Sequence, residues 1–304
     1  MIDVLLLGTS GMHPTSDRWL SSVLLRCDGD LILFDCGEGT QIPWRRSHWG
    51  FRRLTTICLS HWHADHIVGL PGVLFSVANA RRTEPVTLYG PRGVAPIVAG
   101  LRVIVPDLPF DLNVIELDDG DAFTLAAAMT GHVLLGQHGL PSLAYRLDLA
   151  RARRFDRDRA EALQVPRRHW RNLQHGQDVT WDKGSATPND VLSPPRRGIS
   201  FGFVTDTRPL PGHVSLVHDV DLLICEGTYG DPGDNHKANE RGHMTFAEAA
   251  TLARDARVRA LWLTHFSPAL QDPSAWLPEA TARFSPTTLG YSGLTTRLSF
   301  AVDE

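Results

Sequence analysis

No apolar run in the 304 residues approaches the ~18 needed to cross a bilayer, which excludes a simple transmembrane helix. The opening segment, MIDVLLLGTSG, lacks the basic stretch and cleavage pattern of a secretory leader. It reads as a first strand, and a cytoplasmic location is expected, with no membrane partner. Cysteine is scarce: Cys27, Cys36, Cys58 and Cys225 lie far apart, and none forms a Cys-x-x-Cys pair. A chain this long has no need of disulfides, so these are expected to be buried reduced thiols. A surplus of positive charge is also missing. Thirty Lys and Arg face 34 Asp and Glu, a net charge of −4, so any nucleic acid must be met by a local basic surface.

What is present is an alternation of short strand-like runs with helical patterns. VLLLGTSG, LILFDCGEG, LTTICLSHWH, VTLYGP, SFGFVTDT, DLLICEGTY and RALWLTHFSP are rich in β-branched and aromatic residues and end in Gly, Asp or His. HIVGLPGVLFSVANARR, GVAPIVAGLRVIV and TFAEAATLARDARV carry helical spacing, and Thr245 with Glu248 predicts a capping box. The alternation implies layered α/β architecture in one domain, 1–304. Polar residues gather where strand runs end, the usual place for ligands in such folds. From 148 to 198 the sequence turns polar and loses clear periodicity. That is too long for an ordinary connection and predicts an inserted arm.

The densest chemistry is LSHWHADHIVGL, residues 59–70. His61 and His63 alternate at a strand end and can reach one metal ion. Asp65 and His66 follow in the turn and can face a second. Imidazole and carboxylate without thiolate suit Zn²⁺ or a similar first-row ion. Two ions need more donors than one turn supplies. His138 in GQHGLPSLAYR, Asp206 in FVTDTRP and His265 in LTHFSP each follow an apolar run or sit in a motif, and Asp206 has two oxygens with which to bridge. A paired-cation site of this kind can activate a water for hydrolysis, with Asp65 placed to accept that water's proton.

His-x-His-x-Asp-His is the signature of the metallo-β-lactamase superfamily. FDCGEGTQ (34–41), SHWHADHIVGLPGVL (60–74), VTDTRP (204–209), GHMTFAEAA (242–250) and THFSP (264–268), in that order, resemble the ribonuclease Z family. The resemblance implies an αβ/βα sandwich with metals at one edge and an endonuclease that cuts the 3′ trailer from precursor tRNA, leaving a 3′-OH and a 5′ phosphate. It implies two Zn²⁺ per subunit, with Mn²⁺ as an alternative. One ion takes His61, His63 and His138, the other Asp65, His66 and His265, with Asp206 between them. His132 competes with His138, but only HGLPSLAYR resembles the family's sequence there. His243 matches the histidine of the family's His-Ser-Thr motif, with Met244 in the middle place, and is the expected general acid. Glu226 is expected to orient it, although CEGT departs from the family's His-Glu-Ala-Thr.

Residues 146–171 hold nine arginines against four acidic residues, a local surplus of five positive charges. Arg153, Arg154, Arg167, Arg168 and Arg171, with Trp170 as a stacking face, are the expected RNA contacts. The family's arm grips tRNA, commonly across a homodimer, and no DNA partner is implied. The family's Gly-Pro-rich arm segment is replaced by RRHWRNLQHG. A general metal-dependent phosphodiesterase is therefore the alternative reading.

Overall fold

The strand-like runs build two seven-stranded sheets. The first contains β1 (Ile2–Gly8), β2 (Ser22–Cys27), β3 (Asp30–Phe34), β4 (Leu54–Cys58), β5 (Val86–Pro91) and β6 (Leu112–Leu117), with β16 (Thr295–Leu298) at its edge. The second contains β7 (Ala122–Thr124), β8 (Met129–Leu135), β9 (Leu143–Arg151), β12 (Arg196–Val204), β13 (Leu222–Glu226), β14 (Leu261–Thr264) and β15 (Thr287–Leu289). A hairpin, β10 (Val179–Trp181) and β11 (Gly184–Ala186), stands apart. The computed structural model describes residues 1–125 and 129–301. The chain divides into two compact units: Met1–Asp148 with Ile199–Ser299, and Leu149–Gly198 with the chain end from Phe300.

In the larger unit the sheets pack face to face. Phe34 on β3 meets Tyr145, Phe201 and Phe203 of the second sheet, with ring centroids 5.6, 5.5 and 5.2 Å apart. All four rings are buried, and the Tyr145 hydroxyl donates to the Leu59 carbonyl. Helix Leu70–Asn79 covers the first sheet with Leu70, Val73, Leu74 and Val77, a helical stripe that follows from the 3.6-residue period. Helix Phe246–Asp255 covers the second with Phe246, Ala249, Ala250 and Ala253. Its start is the expected capping box: Thr245 Oγ1 accepts from the Glu248 amide and Glu248 returns to the Thr245 amide. The result is the αβ/βα sandwich, and its four cysteines are buried and free.

β3, β4, β5 and β6 run parallel, as do β12, β13, β14 and β15. Their carboxyl ends deliver Asp35, the 60–66 turn, Asp206, Glu226 and His265. Asp35, Asp206 and His265 have positive φ (53°, 48° and 58°), so three strands end in backbone that side chains seldom adopt.

The smaller unit corrects one expectation. The stretch that lacked periodicity has its own core of Ala160, Val165, Leu173, Val179, Ala186, Val191 and Leu192. Its two longer helices, Arg157–Ala162 and Arg167–Gln174, are too short to show a pattern over background. Trp170 belongs to that packing and is not a free face: its ring lies 5.1 Å from Phe155, and its indole N–H donates to the Val165 carbonyl. Arg153 is likewise a brace, its guanidinium donating to Ser193 O, Asn189 Oδ1 and Leu192 O. Arg154, Arg167, Arg168 and Arg171 are exposed, the last three on one short helix.

Replacing Phe201 by Ala removes a fully buried ring from the sheet-to-sheet contact and is expected to cost about 3–5 kcal/mol. The shift in urea midpoint measures it. A loss below ~1 kcal/mol would show that the sheets do not depend on this packing.

Candidate metal centre

Every residue singled out in 61–66 converges with His138, Asp206 and His265. His63 Nδ1 lies 2.9 Å from His61 Nε2 and 3.1 Å from His138 Nε2. On the other side, His66 Nε2 is 3.2 Å from His265 Nε2 and 3.4 Å from Asp65 Oδ2. Asp206 stands between the groups. Its Oδ2 faces His61 and His138, each at 3.7 Å, and its Oδ1 faces His66 at 3.4 Å and His265 at 3.2 Å. The donor atoms of His61, His63, His138 and Asp206 all fall within 4.8 Å of one another, as do those of Asp65, His66 and His265. His132 sits within β8, opposite Ala122, and joins neither group.

Hydrogen bonding fixes which nitrogen four of these rings turn inward. Asp35 Oδ2 accepts the Ser60 hydroxyl (2.8 Å), so Ser60 Oγ can only accept from His61 Nδ1 (3.0 Å). The same Asp35 oxygen takes His66 Nδ1 at 2.8 Å. Thr228 Oγ1 donates to Glu226 Oε2 (2.6 Å), so it accepts from His265 Nδ1 (3.0 Å). His138 Nδ1 donates to the Gly242 carbonyl at 3.1 Å. Four Nε2 lone pairs therefore aim at the centre, the second-layer arrangement that orients metal-binding imidazoles. A tetrahedral ion with bonds of about 2.0–2.1 Å has donor–donor edges of roughly 3.3 Å, close to the separations above.

The electrostatics agree. Burial, then the nearby His66, holds the His61 imidazole well below its usual value, so it is a neutral donor. Burial works against ionisation of Asp206, yet His265, His66 and His61 keep it well below the carboxylate range. Burial likewise opposes charge on His66, and Asp206 and Asp35 overcome it, raising that ring well above its usual value; a cation would take the place of that proton on Nε2. The centre favours positive charge. The residues present thus fit a divalent cation.

His243 stands beside this cluster. Its Nδ1 is 3.1 Å from Glu226 Oε2 and 4.0 Å from Asp206 Oδ2, and its ring stacks on His265 at 5.4 Å. Burial lowers its proton affinity, but the Glu226 carboxylate outweighs burial and pushes it up to about 9. Glu226, fully buried, also accepts the Thr207 and Met244 amides. Arg208 clasps both the His243 carbonyl and Glu248. Asp35, Ser60, Thr228 and Arg208 were not singled out from the sequence. The one available signal was a charged residue ending an apolar strand, as in LILFDCGEG.

Asp35→Asn is expected to lower affinity for divalent metal about 10–100-fold, because the amide has one acceptor oxygen: its NH2 would face either the Ser60 amide N–H that Oδ1 now accepts or the Ser60 hydroxyl and His66 Nδ1 that Oδ2 now accepts. Competition with a chelator measures it, and unchanged retention would refute Asp35 as the anchor.

With the geometry described, comparison with known proteins is direct. A family model described as "Beta-lactamase superfamily domain" matches residues 164–266, and one described as "Anti-Pycsar protein Apyc1" matches residues 2–98. The ribonuclease Z of Lachnospira eligens is 42% identical over 300 residues, covering 99% of each chain. That of Clostridium acetobutylicum is 41% identical over 296 residues, covering 95% of this chain and 96% of the relative. The crystal structure of human tRNase Z, short form, superposes with a TM-score of 0.70 at 25% identity, covering 99% of this chain and 100% of that one. Taken with the full-length identity to its bacterial relatives, this places the chain in the ribonuclease Z family.

Proposed function

We propose that the protein is a zinc-dependent endoribonuclease that removes the 3′ trailer from precursor tRNA, leaving a 3′-OH on the tRNA and a 5′ phosphate on the trailer. The observation that carries this reading is Asp206, whose two oxygens face two separate groups of donors, with a histidine–glutamate pair alongside. Membership of the ribonuclease Z family supplies the substrate class.

In this reading His61, His63 and His138 would hold one Zn²⁺, and Asp65, His66 and His265 a second, with Asp206 standing between the two groups; Mn²⁺ would suit the same donors. Such ions supply Lewis-acid stabilisation of phosphate charge and make a water acidic enough to attack at neutral pH. The chain does the rest. Asp65 accepts the water's proton; its Oδ2 is aimed by the Met12 amide at 2.7 Å. His243, charged through Glu226, donates its proton to the departing ribose 3′ oxygen, a poor leaving group without one.

The arm, 148–198, grips the tRNA body through Arg167, Arg168 and Arg171, with Arg154 nearby, while Arg153 and Trp170 shape the arm. The enzyme works in the cytoplasm as a homodimer, each arm holding the tRNA cut by the other subunit. Among the described residues no helix is long and apolar enough to cross a membrane.

His243→Ala is expected to slow cleavage of precursor tRNA about 10²–10⁴-fold with metal content intact. Hydrolysis of bis-p-nitrophenyl phosphate, whose leaving group needs no proton, should fall far less. Equal losses on both substrates, or loss of metal, would refute the assignment. Wild-type hydrolysis of the small ester alone would favour the general phosphodiesterase.

Replacing Arg167, Arg168 and Arg171 together by Gln should reduce kcat/KM for precursor tRNA and flatten its log–log salt dependence by up to about three units, leaving the small ester untouched. Mixing that variant with His243→Ala should restore cleavage if arms act across a dimer. An unchanged salt slope would remove the arm from binding, and no restoration would place each arm over its own site.

A further inference from the structure

Two clefts open beside the metal centre and share one residue. The first, about 550 Å³, has Met12, Thr228, Tyr229, Lys237, Arg241 and Trp276 among its walls. The second, about 530 Å³, is bounded by His63, Gln137, His138, Asn239 and Arg241. Any polynucleotide with one phosphate at the centre must lay a nucleotide to either side of it. The two clefts are the spaces that flank the donors, and their chemistry differs.

The first cleft begins next to the general acid. Tyr229 stands edge-on to the His243 ring at 6.4 Å, and Thr228 is hydrogen-bonded to His265. Its far wall is Trp276, which lies so close against Gly230 that a Cβ there would meet the indole ring at 2.6 Å. The absence of a side chain at 230 is what lets the ring reach this wall. Met12 completes the mouth: the residue is 59% exposed although its backbone, at φ 61°, is pinned to Asp65. Two aromatic rings and a soft thioether around a slot of nucleoside size make a stacking surface. The second cleft has no aromatic wall beyond the donor imidazoles themselves.

Arg241 lies on the rim of both clefts. It ends the helix Asn235–Arg241, is exposed, and makes no ion pair among the described residues, whereas Lys237 on the same helix is bound to Asp234 at 2.6 Å. The next residue, Gly242, turns the chain at φ 70° and gives its carbonyl to His138. The side chain of Arg241 thus springs from the residue next to the carbonyl that orients His138.

Resting on the endoribonuclease reading, we propose that the cleft walled by Met12, Tyr229 and Trp276 seats the base of the nucleotide whose 3′ oxygen departs, and that Arg241 holds a backbone phosphate between the two clefts. The ribose protonated by His243 must lie beside it, and Tyr229 is the aromatic wall nearest that histidine. The nucleotide on the other side of the scissile bond then faces Gln137 and Asn239 and is read without stacking.

The test pairs protein and substrate changes. Precursor tRNA with an abasic ribose as the last nucleotide before the cut should lose about 5- to 150-fold in kcat/KM with the wild-type enzyme, the range for one lost stacking contact. With Tyr229→Leu, intact precursor should already be cleaved that much more slowly, and the abasic change should add little, because the two act through one contact. An abasic ribose on the trailer side should cost little in either enzyme. Arg241→Gln, at an exposed site that does not threaten folding, should lower kcat/KM for intact and abasic precursors alike and reduce the salt slope by about one. Additive losses for Tyr229→Leu and the abasic substrate would overturn the base pocket. An unchanged salt slope in Arg241→Gln would overturn the phosphate contact. Failure of the wild type to cleave any precursor would instead sink the endoribonuclease reading, and this proposal with it.

Discussion

Asp206 is the point on which the catalytic edge depends. A carboxylate only 2% exposed carries a large desolvation penalty unless opposite charge surrounds it. Here the compensation comes from imidazoles on three different strand ends and one loop, which also have to be positioned. The left-handed backbone at Asp35, Asp206 and His265 is a further local cost, of order 1 kcal/mol each. Desolvation and strain concentrate at one edge of the sandwich because the aromatic packing around Phe34 holds the two sheets in fixed register beneath it.

Much of this was legible before the structure. His61, His63, Asp65 and His66 are too many ionisable groups in six positions to be an ordinary turn, and His138, Asp206 and His265 each ended an apolar run or sat in a motif. The layers followed from strand and helix periods alternating along the chain. Asp35, Ser60 and Thr228 were not legible, because a residue that orients another looks like any polar residue at a strand end. Its importance lies in a hydrogen bond to a residue distant in sequence, and spacing alone does not encode that bond.

The arm was expected from the sequence, but its internal core was not, for a different reason. Helices of six and eight residues give the hydrophobic period too little length to emerge, and arginine-rich segments suggest a solvated surface. Folding sorts those arginines into two kinds. Arg153 spends its donors on Asn189, Leu192 and Ser193, while Arg167, Arg168 and Arg171 project from one helix. A count of charges cannot make that division; it takes a core, and the arm has one.

Glu226 ties the chemistry together. One buried carboxylate accepts from His243, from Thr228 and from the amides of Thr207 and Met244. Through Thr228 it sets the tautomer of His265, through Thr207 it holds the backbone next to Asp206, and by its charge it favours the protonated form of His243. The surroundings keep it ionised although burial opposes this, chiefly through the charge on His243. His243 and the histidine–aspartate cluster therefore share a single anion. Moving that anion would disturb the acid and the histidine it stacks upon together, so the two halves of the site can be tuned only as one.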